Sequence, residues 1–255
     1  MIRALFATSF TFLFLLVLGP PLLIHARLVG NGEWVYRVGV WGCKFALWLA
    51  GVRLEVHGRE KIRADRAVVF MPNHQSNCDP PAVIAVLPRL IVLVKKEFFR
   101  VPILGRAMLQ VGFIPVDRKN RERAIQAIDE GVATLAAGRS FMVFPEGTRS
   151  RDGRLQPLKK GAFVMAIKAQ VPVVPISVSG SSKIMQKGKF AIRPGVVRIT
   201  IHDEIPTQGH SMERRHEIME RTRRAILSGL AEDEQPVDTG STHAPPAVPD
   251  TTPAM

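Results

Sequence analysis

The chain has 255 residues, 46% of them hydrophobic, which is enough to bury one substantial core and excludes a globally disordered protein. Lys and Arg together number 35 against 22 Asp and Glu, and the resulting net charge of +13 calls for an anionic partner: nucleic acid, anionic lipid or a phosphorylated substrate. Cys43 and Cys78 lie far apart with no CxxC, which rules out a disulfide framework or a cysteine-rich zinc site and fits a reducing, cytosolic face.

The first segment is an apolar run from Ala4 to Leu18, continued by Gly19-Pro20-Pro21 and Leu22-Leu23-Ile24 and flanked by Arg3 and Arg27. A spanning helix needs about 20 apolar residues, and this run reaches that length only through a proline pair expected to break or kink it. Partial insertion into a membrane is the expectation, and no small-x-small cleavage site follows to suggest a removed signal peptide. The second segment, Trp34 to Val52, holds all three Trp residues and the single Tyr, with only Arg37 and Lys44 charged. That is the pattern of an interfacial helix, so residues 1–52 read as a membrane-associating helical hairpin. The competing reading is a pair of ordinary core helices.

From residue 53 to 230, short β-branched runs alternate with helical stretches. The strands expected are Arg53 to Val56, Ala67 to Met71, Leu90 to Val94, Phe113 to Val116, Ser140 to Phe144, Val173 to Val178 and Val196 to Ile201. Helices are expected over Pro80 to Leu87, Arg121 to Ala137, Lys159 to Ala169 and Met212 to Leu230. The alternation argues for an α/β domain with a buried, at least partly parallel sheet. From Ala231 onward the chain has no Lys or Arg, is rich in Pro and Thr, and carries Glu232, Asp233, Glu234, Asp238 and Asp250. Residues 231–255 are therefore expected to form a disordered acidic tail, which leaves +18 on the remainder.

The sequence lacks GxGxxG, a Walker-type loop, GxSxG and HExxH. Its chemistry-bearing residues gather instead in three sets just past predicted strands, where catalytic groups collect in α/β folds. The first is Asn73-His74-Gln75-Ser76-Asn77-Cys78-Asp79, followed by Pro80-Pro81. Residues five apart on one helix differ by about 140°, so His74 meets Asp79 only if His74 sits in the loop and Asp79 opens the helix. Asp79 then fixes the imidazole tautomer so that the other nitrogen takes a proton from a hydroxyl. The alternative is that Asp79 merely caps the helix. The second set is Lys95-Lys96-Glu97 with Gly112 to Arg118, and the third is Phe144-Pro145-Glu146-Gly147-Thr148-Arg149-Ser150, where cations and a permissive glycine suit an anionic ligand.

Taken together and in this order, the three sets and Val171-Pro172-Val173-Val174-Pro175-Ile176 resemble the four blocks of the glycerolipid acyltransferases typified by lysophosphatidic acid acyltransferase, with Asn73-His74 to Asp79 matching NHxxxxD. The resemblance covers roughly Val52 to Glu204. It implies a glycerol-phosphate-acyltransferase-like mixed sheet flanked by helices, behind an N-terminal two-helix membrane anchor. His74 is implied as general base, Asp79 as its orienting partner, and Lys95, Arg118, Glu146, Gly147, Thr148 and Arg149 as acceptor-binding residues. The implied reaction moves an acyl group from a thioester of coenzyme A or acyl carrier protein to the sn-2 hydroxyl of 1-acylglycerol 3-phosphate, giving phosphatidic acid, with no metal and no further cofactor. The expected setting is the cytoplasmic side of a bacterial inner membrane. Asn77-Cys78 departs from the apolar pair common at that place, and Cys78 beside the base raises the idea of a thiol nucleophile. Another lysolipid such as a lyso-ornithine lipid, or glycerol 3-phosphate, is the alternative acceptor. A non-catalytic basic membrane-binding protein is the alternative from another class. Nucleic acid is disfavoured by 7% aromatic content and the absence of a binding motif.

Overall fold

The computed structural model describes residues 2–237, except 64, 187, 189 and 190. Its strands are β1 (Val52–His57), β2 (Val69–Pro72), β3 (Ile91–Lys95), β4 (Ile114–Val116), β5 (Phe141–Met142), β6 (Val173–Ser179) and β7 (Gly195–Ile201). They form one mixed sheet in the order β1-β7-β6-β2-β5-β3-β4, in which only β6 and β7 pair antiparallel. β2 thus lies mid-sheet, parallel to both β5 and β6. Alternate residues of each strand enter different cores: Val68 and Phe70 pack on one face and Val69 and Met71 on the other. A strand buried on both faces needs apolar residues at every position, which is why Val69–Pro72 is a continuous apolar run.

The helices are α1 (Ile2–Val29), α2 (Glu33–Leu49), α3 (Asp79–Ile84), α4 (Leu104–Gln110), α5 (Arg121–Ala136), α6 (Lys160–Ala169), α7 (Ser181–Ile184) and α8 (Arg215–Ser228). Ala127 and Leu135 of α5, Phe163 and Met165 of α6 and Ile218 of α8 cover one face of the sheet. Ala82 and Val83 of α3, with Ala7 of α1 and Leu47 of α2, cover the other. Each expected strand is present, although the one placed at Ser140 to Phe144 pairs only over Phe141–Met142, because the chain then leaves the sheet for a turn at Pro145 to Gly147. The helix expected over Met212 to Leu230 is split into a 3₁₀ turn and α8, and the sequence reading missed α4 and α7.

Two expectations need correction. Pro20 and Pro21 do not break the first segment: α1 runs through both, since the fixed proline φ is helical and neighbouring packing offsets the lost hydrogen bonds. At Gly19 that packing is so close that a Cβ would lie 2.2 Å from a side-chain carbon of Ile103. The acidic tail does not begin unstructured either. Glu232–Glu234 forms a 3₁₀ turn in which buried Glu234 accepts from the Gly180 amide at 2.7 Å and Asp233 pairs with Lys183 at 2.8 Å. Local composition misses these tertiary contacts, and residues 238–255 lie outside the described residues.

Candidate active site

Because β2 to β6 run parallel, the loops after them all open at one edge of the sheet, outside the carboxyl ends of the strands. The loop after β2 is fixed first by Asn73, fully buried, whose side-chain amide donates to the Val178 carbonyl at 2.9 Å and accepts from its N–H at 2.7 Å. This pins the start of the loop to β6. At its far end Asp79 opens α3, where Pro80 and Pro81 fill the first turn at no hydrogen-bond cost.

Between these anchors His74 Nδ1 lies 2.8 Å from Asp79 Oδ2. The same oxygen accepts the Gln75 and Ser76 N–H groups, each at 2.7 Å. Asp79 therefore reaches back to its own loop, to the imidazole and two backbone amides, and its bonded oxygen does not cap the helix. A carboxylate only accepts, so in a neutral imidazole Nδ1 carries the proton and Nε2 presents its lone pair. The ring is further held by stacking on Phe144, with centroids 4.0 Å apart. Only 13% of the His74 side chain is exposed.

Glu146 braces the loop from below. One carboxylate oxygen accepts the His74 N–H and the other accepts the Gln156 N–H at 2.9 Å, while the His74 carbonyl takes the Ser150 N–H at 2.8 Å. Burial pushes the Glu146 carboxyl up to about 8, against the lowering effect of its two amide donors, with the nearby Asp79 charge adding to the rise. Both oxygens face backbone, so Glu146 braces the loop after β2.

The cations lie on the β5, β3 and β4 side of His74. Arg118 donates through Nη1 to the Gly147 carbonyl and so ties the second block to the third. Gly147 has φ +68°, a backbone conformation that favours glycine, so the turn itself calls for it. Thr148 is exposed and Arg149 half-buried in that turn. Lys95 pairs with Glu97 at 3.3 Å, while Lys96 bridges to Asp117, whose carboxyl that ammonium holds below the usual range. Asn73, Gln75, Ser76 and Phe144 were missed as functional positions, though each lies inside a block already singled out. Their roles depend on partners distant in the chain or on backbone amides. Cys78 is buried and its thiol is pushed up to about 12, by burial and then by the Asp79 charge, which leaves no thiolate to act as nucleophile.

A family model described as acyltransferase matches residues 53–179. Human 1-acyl-sn-glycerol-3-phosphate acyltransferase alpha is 32% identical over 223 residues, covering 86% of this chain and 77% of its own. The chain belongs to the acyltransferase family. The 1-acyl-sn-glycerol-3-phosphate acyltransferase of Limnanthes douglasii is 30% identical over 199 residues, 77% of this chain and 69% of that protein. Among solved structures, the 1-acyl-sn-glycerophosphate acyltransferase PlsC of Thermotoga maritima superposes with a TM-score of 0.75 at 28% identity, covering 89% of this chain and 96% of that one. The mixed sheet flanked by helices is thus the fold this acyltransferase shares with the present chain.

Proposed function

We infer that the protein acylates the sn-2 hydroxyl of 1-acylglycerol 3-phosphate from an acyl thioester, producing phosphatidic acid. The observation that carries this reading is the His74–Asp79 pair at 2.8 Å, held by two backbone N–H groups, in a chain of the acyltransferase family. His74 Nε2 takes the proton of the acceptor hydroxyl as its oxygen bonds to the thioester carbonyl carbon. The C–S bond then breaks, and the proton passes from the imidazolium to the departing sulfur. Asp79 stabilises the imidazolium between those events. Transfer is direct, with no acyl-enzyme. Lys95, Arg118 and Arg149, with Gly147 and Thr148, gather the acceptor phosphate, and Glu146 contributes by bracing the His74 loop. The donor is a thioester of coenzyme A or acyl carrier protein, and neither a metal nor another cofactor enters the mechanism.

Both acceptor and product are lipids, so the site works at a bilayer surface. On α2 an exposed stripe alternates ring and cation, Trp34, Arg37, Trp41, Lys44 and Trp48, which suits the headgroup level of an anionic membrane. α1 adds a long apolar surface, with Phe6, Phe12 and Val17 well exposed and one stretch, Arg3–Val29, long and apolar enough to cross a membrane. The setting we favour is a bacterial inner membrane with the catalytic domain on its cytoplasmic side. Replacing all three Trp residues by Ser should weaken binding to anionic vesicles in a flotation assay; unchanged flotation would remove α2 from the interface.

The deciding experiment is product formation from palmitoyl-CoA and 1-acylglycerol 3-phosphate in mixed micelles, with lyso-ornithine lipid and glycerol 3-phosphate as parallel acceptors. Wild type should convert 1-acylglycerol 3-phosphate, and His74→Ala should not. Preference for another acceptor would move the substrate, and equal rates for the two proteins would remove His74 from the reaction.

A further inference from the structure

The segment after α8 bears on the catalytic loop from two sides. Leu230 packs with Leu155 and Ile226 in a small apolar cluster, and the chain then turns through Glu232–Glu234. The last residue of that turn, Glu234, is buried, and among the described residues no basic side chain pairs with it. Its two carboxylate oxygens accept backbone N–H groups instead, from Gly180 at 2.7 Å and from Ala231 at 3.3 Å. A carboxylate taken out of water is costly unless such donors hold it, so the bonds it makes fix its place.

One route to the catalytic loop runs through α7, which Gly180 opens at the end of β6. Ser181 Oγ donates to the Gln75 carboxamide oxygen at 3.3 Å, and Ser76 Oγ donates to the carbonyl of Met185, just past α7, at 2.8 Å. Gln75 and Ser76 are the two residues whose N–H groups bind Asp79 Oδ2. The other route starts at the Glu234 carbonyl, which accepts the Leu155 N–H at 3.0 Å. The next residue, Gln156, gives its N–H to Glu146, which also accepts the His74 N–H, and its carbonyl accepts from Arg223 of α8 at 3.4 Å. Ser181, Gln75 and Ser76 on the first route, and Leu155 and Glu146 on the second, are buried. A buried amide that loses its acceptor finds no water to replace it, so the segments it joined must shift.

We propose that Glu234 is a positioning residue of acyl transfer, locking α7 and the Leu155–Gln156 segment against the loop that carries His74 and Asp79. The proposal rests on the acyltransferase reading above and extends its working unit to the turn after α8. Asp233 provides the comparison. It ties the same turn to Lys183 at 2.8 Å, but with both side chains exposed, where an ion pair contributes little.

The test uses the full chain in mixed micelles, with Glu234→Ala and Glu234→Gln beside Asp233→Asn. kcat and KM are measured with palmitoyl-CoA and 1-acylglycerol 3-phosphate. Amide hydrogen exchange is followed at Gln75 and Ser76 and, as reporters of global opening, at Val197 and Ile199 of β7. Glu234→Ala should lower kcat about tenfold with both KM values unchanged, and speed exchange at Gln75 and Ser76 about tenfold more than at β7. Glu234→Gln, which keeps one acceptor oxygen, should fall between it and wild type, and carries the test alone if the alanine variant does not fold. Asp233→Asn should match wild type. Equal acceleration at all four amides makes the role one of stability and overturns the proposal. An unchanged kcat, a rise in KM without loss of kcat, or the same loss in Asp233→Asn overturns it as well. Exchange needs no turnover, which separates this proposal from the enzymatic reading. Selective acceleration in a protein that transfers no acyl group supports the link from Glu234 to the loop and removes the acyltransferase reading alone, whereas no acceleration at Gln75 and Ser76 overturns the link whatever the activity.

Discussion

The loop from Asn73 to Asp79 and the cation set of Lys95, Arg118 and Arg149 meet at one edge of the sheet but are built in opposite ways. The loop is over-determined: Asn73 is tied to β6, Asp79 Oδ2 holds three N–H groups, and Glu146 closes the loop from below. The cations stand nearer the surface: Lys95 is 47% exposed and pairs with Glu97 at 3.3 Å, Arg118 is exposed and donates to the Gly147 carbonyl, and Arg149 is half-buried. Proton transfer demands an imidazole placed within hydrogen-bond reach of the hydroxyl, whereas a phosphate is attracted over a longer distance by groups that remain solvated. On the proposed reading, the more heavily bonded region is the one that moves the proton, and the more exposed cations are the ones that meet the phosphate.

Variants in the two regions should fail differently. The largest loss is expected for His74→Ala, about 10² to 10⁴ in kcat with folding intact; a circular dichroism spectrum beside the rate assay checks both parts. Glu146→Gln comes next, because its amide presents a donor to one of the two backbone N–H groups that the carboxylate now accepts. It should lower kcat about tenfold with little change in acceptor KM, whereas a rise in KM alone would make Glu146 an acceptor ligand. The same variant tests the raised pKa. A carboxyl whose folded value of about 8 exceeds its ordinary 4.5 holds its proton longer in the folded state, so its contribution to stability falls as pH rises through that window. Wild type should lose thermal stability relative to Glu146→Gln between those pH values, and parallel melting curves would contradict the buried setting.

Arg118→Ser, in the looser region, should raise acceptor KM several-fold and leave kcat nearly unchanged, with the difference shrinking at high salt; an equal loss in kcat would place Arg118 in the transition state instead. The smallest effect is expected for Cys78→Ala: turnover near wild type and a destabilisation of about 1 kcal/mol from lost packing, read from chemical denaturation. Abolished turnover in a folded protein would revive the thiol.

The same contrast explains what was legible in the sequence. Strands were visible because a central parallel sheet needs uninterrupted β-branched runs, and Val69–Pro72 and Val173–Ser179 are such runs. His74 and Asp79 were readable as a pair because both ends of their contact lie within seven residues bounded by a strand and two prolines. The brace of Glu146 under His74 was not, since its partners are backbone amides 72 and 10 residues away and leave no mark on composition. The continuous α1 and the docked turn at Glu232–Glu234 escaped for a related reason. Proline and acidic residues argue against order locally, and only packing against Ile103, Gly180 and Lys183 overrides them.

The central claim is that His74 and Asp79 act as one unit, and a double-mutant cycle on acyl transfer tests it most directly. His74→Ala, Asp79→Asn and the combined variant are compared at saturating substrates, with thiol release as the signal. The expected result is strong non-additivity, with the double variant no slower than His74→Ala alone, because Asp79 has no base left to orient. Losses that add in free energy would show two independent contributions and contradict the pair.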